Sequence, residues 1–239
     1  MAGGGTLRRM SNGERREGKR MAMTRERLPG TAGEHALQER DGTTARAHAF
    51  YREQLLDHLI PSMQQFIARM EMVFVATTDA GGACDCSFRA GSPGFVRVLD
   101  PHTLAYPEYR GNGVKASQGN IAENPHIGLL FLDFFDSAVG LHVNGSARLV
   151  ENEEMRNRPG VPADVAAEIT VLGGRRPERW VVVAVEEAYI HCSKHVPLLG
   201  RRDKMVVWGS DDPRLKGGDY FGVRAQQRRE WGDAAGSER

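Results

Sequence analysis

From Met72 to Ile190 the chain is a run of short apolar or alternating segments, each cut off by turn residues, and that punctuation fixes the class of fold open to it. Met72–Thr78 is rich in β-branched residues and reads as a strand. Asp79-Ala-Gly-Gly82 is a turn, and Cys84–Arg89 is the returning strand of a hairpin. Gly91-Ser-Pro-Gly94 interrupts, and Phe95–Leu99 and Leu104–Tyr106 flank a second turn at Asp100–Thr103. Ile127–Leu132 is continuously apolar, as a strand buried on both faces would be. Val139–Val150 alternates Val139, Leu141 and Val143 against Gly140, His142 and Asn144. Gly145 falls where a bulge or a close backbone approach is expected. Trp180–Ile190 is the last and strongest strand. These six or seven strands are joined mostly by short turns, so they pair antiparallel, and such a set closes into a barrel to remove its edges. The fold class expected is mainly β, of the α+β kind.

A helical pattern interrupts this series at Val114–Glu123. The Gly-rich loop Arg110-Gly111-Asn112-Gly113 precedes it, and Asn124-Pro125 stops it. Loop, helix start and strand in that order suit an anion, because the first N–H groups of a helix lack partners and its dipole favours negative charge. Lys115 and Ser117 add a cation and a hydroxyl. A phosphate-bearing ligand at Gly111–Asn120 is expected. Ser87, Arg89 and Arg97 lie on adjacent predicted strands, and an Arg facing the loop could clamp a phosphate bidentately.

Two competing motifs are weaker. Gly111-x-Gly113-x-x-Ala116 with Asp133 twenty residues after Gly113 matches a dinucleotide-binding fingerprint, but no second βαβ unit follows. Cys84-x-Cys86, His191-Cys192 and His195 are zinc-type residues without zinc-type spacing, so no metal is expected, and Cys84 and Cys86 read as small buried residues.

The 239 residues carry a net charge of +1 and are 40% hydrophobic. That balance gives no case for nucleic acid or an anionic membrane, and no apolar run approaches the roughly 18 residues of a membrane span. Three cysteines make no disulfide framework, so a reducing cytoplasm is the default. Residues 1–46 have no Val, Ile, Phe, Trp or Tyr and are expected to be a disordered tail. Ala47–Met70 carries apolar residues at helical spacing around Pro61, which predicts two helices, the second beginning at Pro61. Residues 47–205 form the expected domain and 206–239 a polar tail, with Tyr220, Phe221 and Trp231 as its possible anchors.

The succession SFRAGSPGFVRVLDPHTLAYPEYRGNGVKASQGNIAENPHIGLLFLDF, followed by GLHVNGSARLV, resembles the pyridoxamine 5'-phosphate oxidase-like flavoproteins over about residues 47–200. The resemblance implies a homodimer of six-stranded antiparallel split β-barrels with short peripheral helices. One FMN would occupy each of two clefts between protomers. Carried over, Ser87, Arg89, Val96 and Arg97 on strands and Lys115, Ser117 and Asn120 at the loop and helix would hold its phosphate and ribityl chain. Pro107 and Gly140 would lie near the isoalloxazine edge, and His191 and His195 could line the cleft. The chain departs from the oxidase itself: Ala116-Ser117 replaces an Arg-Lys pair, and the C-terminal Trp and Arg that grip the vitamin phosphate have no counterpart. The implied function is an FMN-dependent oxidoreductase acting on a small organic substrate with a nicotinamide or other reductant. A flavin carrier or sensor and a haem-binding relative are the alternatives, and a deazaflavin could stand in for FMN. The sequence offers no general acid or base.

Overall fold

The computed structural model describes residues 28–171, 176–204, 212, 219–224 and 226–227. The chain divides into two compact units, Met1–Leu55 and Leu56–Arg239.

In the first unit, α1 (Ala32–Arg40) and α2 (Thr44–Glu53) are helices with no buried residue. The first lies within the segment expected to be disordered. Its start is a capping box, with Thr31 Oγ accepting from the Glu34 N–H and the Glu34 carboxylate accepting from the Thr31 N–H. Thr-x-x-Glu satisfies two otherwise orphaned donors locally, so it needs no apolar face. Residues 1–27 of the expected tail lie outside the described residues.

The second unit opens with α3 (Pro61–Arg69), which has Pro61 in its first turn as the sequence predicts. Seven strands follow: β1 (Met72–Thr78), β2 (Cys84–Ala90), β3 (Arg97–Asp100), β4 (Thr103–Glu108), β5 (His126–Leu132), β6 (Gly140–Val150) and β7 (Arg179–His191). Between them lie α4 (Ala116–Glu123), α5 (Asn152–Arg156) and α6 (Ala163–Thr170). The sheet runs β2-β1-β5-β6-β7-β4-β3 with every pair antiparallel. Six strands are implied by the resemblance; the described residues form seven, the number the residue pattern allows.

One face of the curled sheet encloses the main core. Val73, Val75, Leu104, Tyr106, Leu129, Phe131, Leu141, Val143, Val181 and Val183 meet there, with Ile67 of α3 and Ile121 of α4. Leu104 and Tyr106 alternate with Ala105, which faces a second cluster with Trp180, Val182, Val150, Met155, Val165 and Ile169. This second cluster packs α5 and α6 on the outer side of β4–β7–β6, and the Trp180 indole donates to Asn152 Oδ1 at 3.1 Å. Among the described residues no backbone ladder joins the end strands β2 and β3. Side chains make the approach instead: Arg89 of β2 reaches Glu108 of β4 at 3.0 Å.

Gly145 marks the bulge its position suggests. Asn144 faces Glu187 and Gly145 faces Val185, so Glu186 has no partner across the ladder. A Cβ at Gly145 would stand 2.0 Å from the Ala184 carbonyl oxygen.

Candidate functional site

β2 is turned opposite to an ordinary sheet strand. Its polar residues Asp85, Ser87 and Arg89 are partly buried, while Cys84, Cys86 and Phe88 on the other face are exposed. Cys84 and Cys86 are therefore not the small core residues expected, since the alternation of an edge strand sends both thiols to solvent. The inward polar face needs partners, and α4 supplies them. Ser117, 3% exposed, accepts from Arg89 Nη2 at 3.1 Å and donates to Ser87 Oγ at 3.1 Å. Ser87 in turn donates to Asp85 Oδ2 at 2.8 Å. Arg89 Nε and Nη2 both reach Glu108 Oε1, at 3.1 and 3.0 Å. Asn120, one turn along α4, donates to Thr77 Oγ1 of β1 at 3.0 Å.

The helix starts through special backbone geometry. Gly113 and Lys115 have φ of +86° and +57°, and Asn112 Oδ1 accepts from the Val114 N–H at 3.0 Å. The first helical hydrogen bond runs from Gly119 N–H to the Lys115 carbonyl. The N–H groups before it have no partner within the helix. A Cβ at Gly111, Gly113 or Gly119 would meet nothing within 4 Å, so this end of α4 is open. Lys115 Nζ lies 3.1 Å from Glu178 Oε2.

Of the residues expected at the site, Ser87, Arg89 and Ser117 meet at the first turn of α4; Lys115 is its N-cap and pairs with Glu178, and Asn120 lies a turn further on against Thr77. The others lie elsewhere. Val96, 2% exposed, puts its side chain in the core. Arg97 stands on β3 at the far end of the strand order. Its guanidinium pairs with Asp164 at 3.2 Å and Glu168 at 3.4 Å on α6. Tyr109 also donates to Glu168; burial, then that bond, raises the Tyr109 pKa. Pro107 is buried opposite Trp180. Gly140 is buried where Cβ would stand 2.6 Å from Leu132 Cδ2 and 2.8 Å from His191 Cβ.

Two features of this region escape the sequence. Glu108 pairs with Arg89 although nineteen residues separate them, and only the fold brings β2 and β4 together. The second is an imidazole pair: His142 Nε2 lies 2.9 Å from His191 Nδ1, and the His142 ring stacks on Tyr189 with centroids 4.7 Å apart. Burial, then the neighbouring His191, lowers the His142 pKa. His195 follows in a short 3₁₀ turn, Ser193–His195, and is exposed.

The fingerprint reading of Gly111-x-Gly113 fails on topology, because among the described residues every strand pair is antiparallel. Asp133, its expected acidic partner, instead caps its own loop. Burial would raise its pKa, but bonds from the Ser137 hydroxyl and the Ser137, Phe135 and Asp136 N–H groups bring it down to about 2. No group of three or more metal-type ligands occurs among the described residues. Nor is any described helix long and apolar enough to cross a membrane. A hollow of about 510 Å³ opens on the outer face of β1 and β5 beside Cys84, His126 and Asn144.

The fold and the cluster define an antiparallel β protein with a polar cradle at the start of one inserted helix. The family model for pyridoxamine 5'-phosphate oxidase matches residues 59–192, more than half of the chain, and the chain belongs to that family. No curated protein matches it. Among solved structures it is similar to HupZ of Group A Streptococcus, at 20% identity over 59% of this chain and all of that one, with a TM-score of 0.41. It is also similar to HutZ, the haem storage protein of Vibrio cholerae, at 15% identity over 56% of this chain and 93% of that one (TM-score 0.35). An F420 reductase matches at 15% identity over 54% and 94% of the two chains (TM-score 0.36).

Proposed function

We propose that this chain is an FMN-binding split-barrel flavoprotein, an oxidoreductase that acts on a small organic substrate with a nicotinamide or another reductant. The observation that carries the reading is the convergence of Arg89, Ser87 and Ser117 on the open N-terminus of α4. A guanidinium, two hydroxyls, the nearby Lys115 ammonium and free helix N–H groups are the donor set a phosphate monoester requires. The space beside Gly111, Gly113 and Gly119 leaves room for it. A bound flavin would supply the redox chemistry. The chain's own residues would fix the phosphate and keep the ring's tail anchored. Asn120 would support the helix against β1 through Thr77.

The reading includes a homodimer. Phe88, Phe74, Leu130, His142 and Tyr189 face one another in register across β2, β1, β5, β6 and β7. Phe88 is 53% exposed and packs edge-on against Phe74 at 5.6 Å. An aromatic row lying across a sheet is the kind of surface a second copy covers. Gly140 borders this face, so a cleft completed by the partner is where Gly140 and the phosphate cradle would serve one ligand.

Purified protein tests this directly. A yellow preparation that releases FMN on denaturation, and bleaches with a nicotinamide before an acceptor restores the colour, is the expected result. Yellow protein that no reductant bleaches would make it a carrier or sensor. The His142–His191 pair favours one other reading, haem binding; a Soret band on haem titration with no affinity for FMN would select it.

A further inference from the structure

Both cations of the cradle are already engaged by carboxylates of the same chain. Glu108, 4% exposed, holds Arg89 through two nitrogens. Glu178 holds Lys115 at 3.1 Å. The two acids are neighbours, since the Glu178 N–H donates to the Glu108 carbonyl at 2.8 Å. Asp85 adds a third carboxylate, on Ser87 and Ser117. A dianionic phosphate therefore meets cations that are neutralised beforehand.

A further observation points to what happens when the pair opens. Tyr106 precedes Glu108 by two residues and faces the same side of β4. It is fully buried, and its hydroxyl has no hydrogen-bond partner. A buried hydroxyl without an acceptor is costly and rare.

Resting on the flavin reading, we infer that Glu108 is a built-in competitor for the ligand's phosphate: it holds Arg89 until the phosphate takes the guanidinium, and the Tyr106 hydroxyl then serves the released carboxylate. The exchange makes binding of the phosphorylated ligand weaker than the donor set alone would give. It also ties affinity to one residue that touches no ligand atom.

The test is equilibrium titration of the full-length protein with FMN and with riboflavin, which lacks the phosphate. Glu108→Gln keeps the side chain's size and removes its charge. It should tighten FMN about tenfold, a small part of what a unit charge a few ångström away exerts at a protein surface, and leave riboflavin within about twofold. Inorganic phosphate should raise the melting temperature of Glu108→Gln more than that of the wild type, because it replaces the lost counter-charge on Arg89. Glu178→Gln, at an exposed pair with no folding risk, should tighten FMN by about threefold, as expected of a partly screened charge. Tyr106→Phe removes only an unpartnered hydroxyl, yet it should weaken FMN. Wild type that binds FMN, with Glu108→Gln and Glu178→Gln equal to it or weaker, overturns the competitor while leaving the flavin reading intact. Failure of every variant and the wild type to bind FMN overturns the flavin reading, and the competitor with it.

Discussion

Gly145 shows how a single residue sets the course of two strands. With the Ala184 carbonyl 2.0 Å from where its Cβ would be, any side chain must push backbone rather than a flexible tip. Gly145→Ala is expected to cost about 1–3 kcal/mol, the scale of an overpacked core, read as a lower midpoint in chemical denaturation. Asp133 is the second residue with a defined energetic role. Four hydrogen bonds hold its pKa at about 2, below the usual 3.8. A carboxyl depressed on folding stabilises the protein above its unfolded pKa and stops doing so as pH falls through the folded one. Asp133→Asn should therefore destabilise by about 1–2 kcal/mol at pH 7. The gap to wild type should close between about pH 4 and pH 2; a gap that persists at pH 2 would show that the loop, not the charge, matters. Both roles were partly visible in sequence. Gly145 interrupts an alternating strand, whereas Asp133 stood out only through a fingerprint spacing that the antiparallel pattern already argued against, and its role as a loop cap was not read.

At the scale of elements, the strands and the helices α3 and α4 were legible because each has its own punctuation. Pro61 opens α3 and Pro125 follows the end of α4, and both fall as the sequence reading has them. The helix at Ala32–Arg40 was missed for lack of apolar residues, although Thr31 and Glu34 spell its cap. Half of the cradle was legible for the same local reason: Lys115, Ser117 and Asn120 belong to one loop and helix. Arg89 and Ser87, on a separate strand, could be set beside them only as adjacent predicted strands facing the loop, and the resemblance then named them as ligands. Arg97, inferred in the same way, goes to α6, because its β3 pairs only with β4 and its side chain meets Asp164 and Glu168. Arg97→Ala should accordingly lower stability by about 1–3 kcal/mol, the cost of leaving the partly buried Glu168 without its cation, and change FMN affinity by less than about twofold. A large loss of affinity without a loss of stability would return Arg97 to the phosphate.

For the whole molecule, the central claims are that a phosphate is bound at α4 and that the ligand site is shared between copies. Phe88 is the exposed end of the Phe88–Tyr189 row and should be sensitive to charge, so Phe88→Asp is expected to shift the protein towards monomer in sedimentation while unfolding at nearly the wild-type midpoint. A monomeric wild type would remove the shared cleft but not the cradle. The cradle itself is tested most directly by isothermal titration of wild type and of Lys115→Asn/Ser117→Ala with FMN and riboflavin in parallel. Asn accepts the left-handed backbone at position 115, so the fold should survive. The account predicts that wild type prefers FMN to riboflavin and that the double variant loses about 1–3 kcal/mol of that preference, the worth of charge-assisted hydrogen bonds. Equal affinity for the two flavins in wild type, or a preference untouched by the double variant, would contradict it.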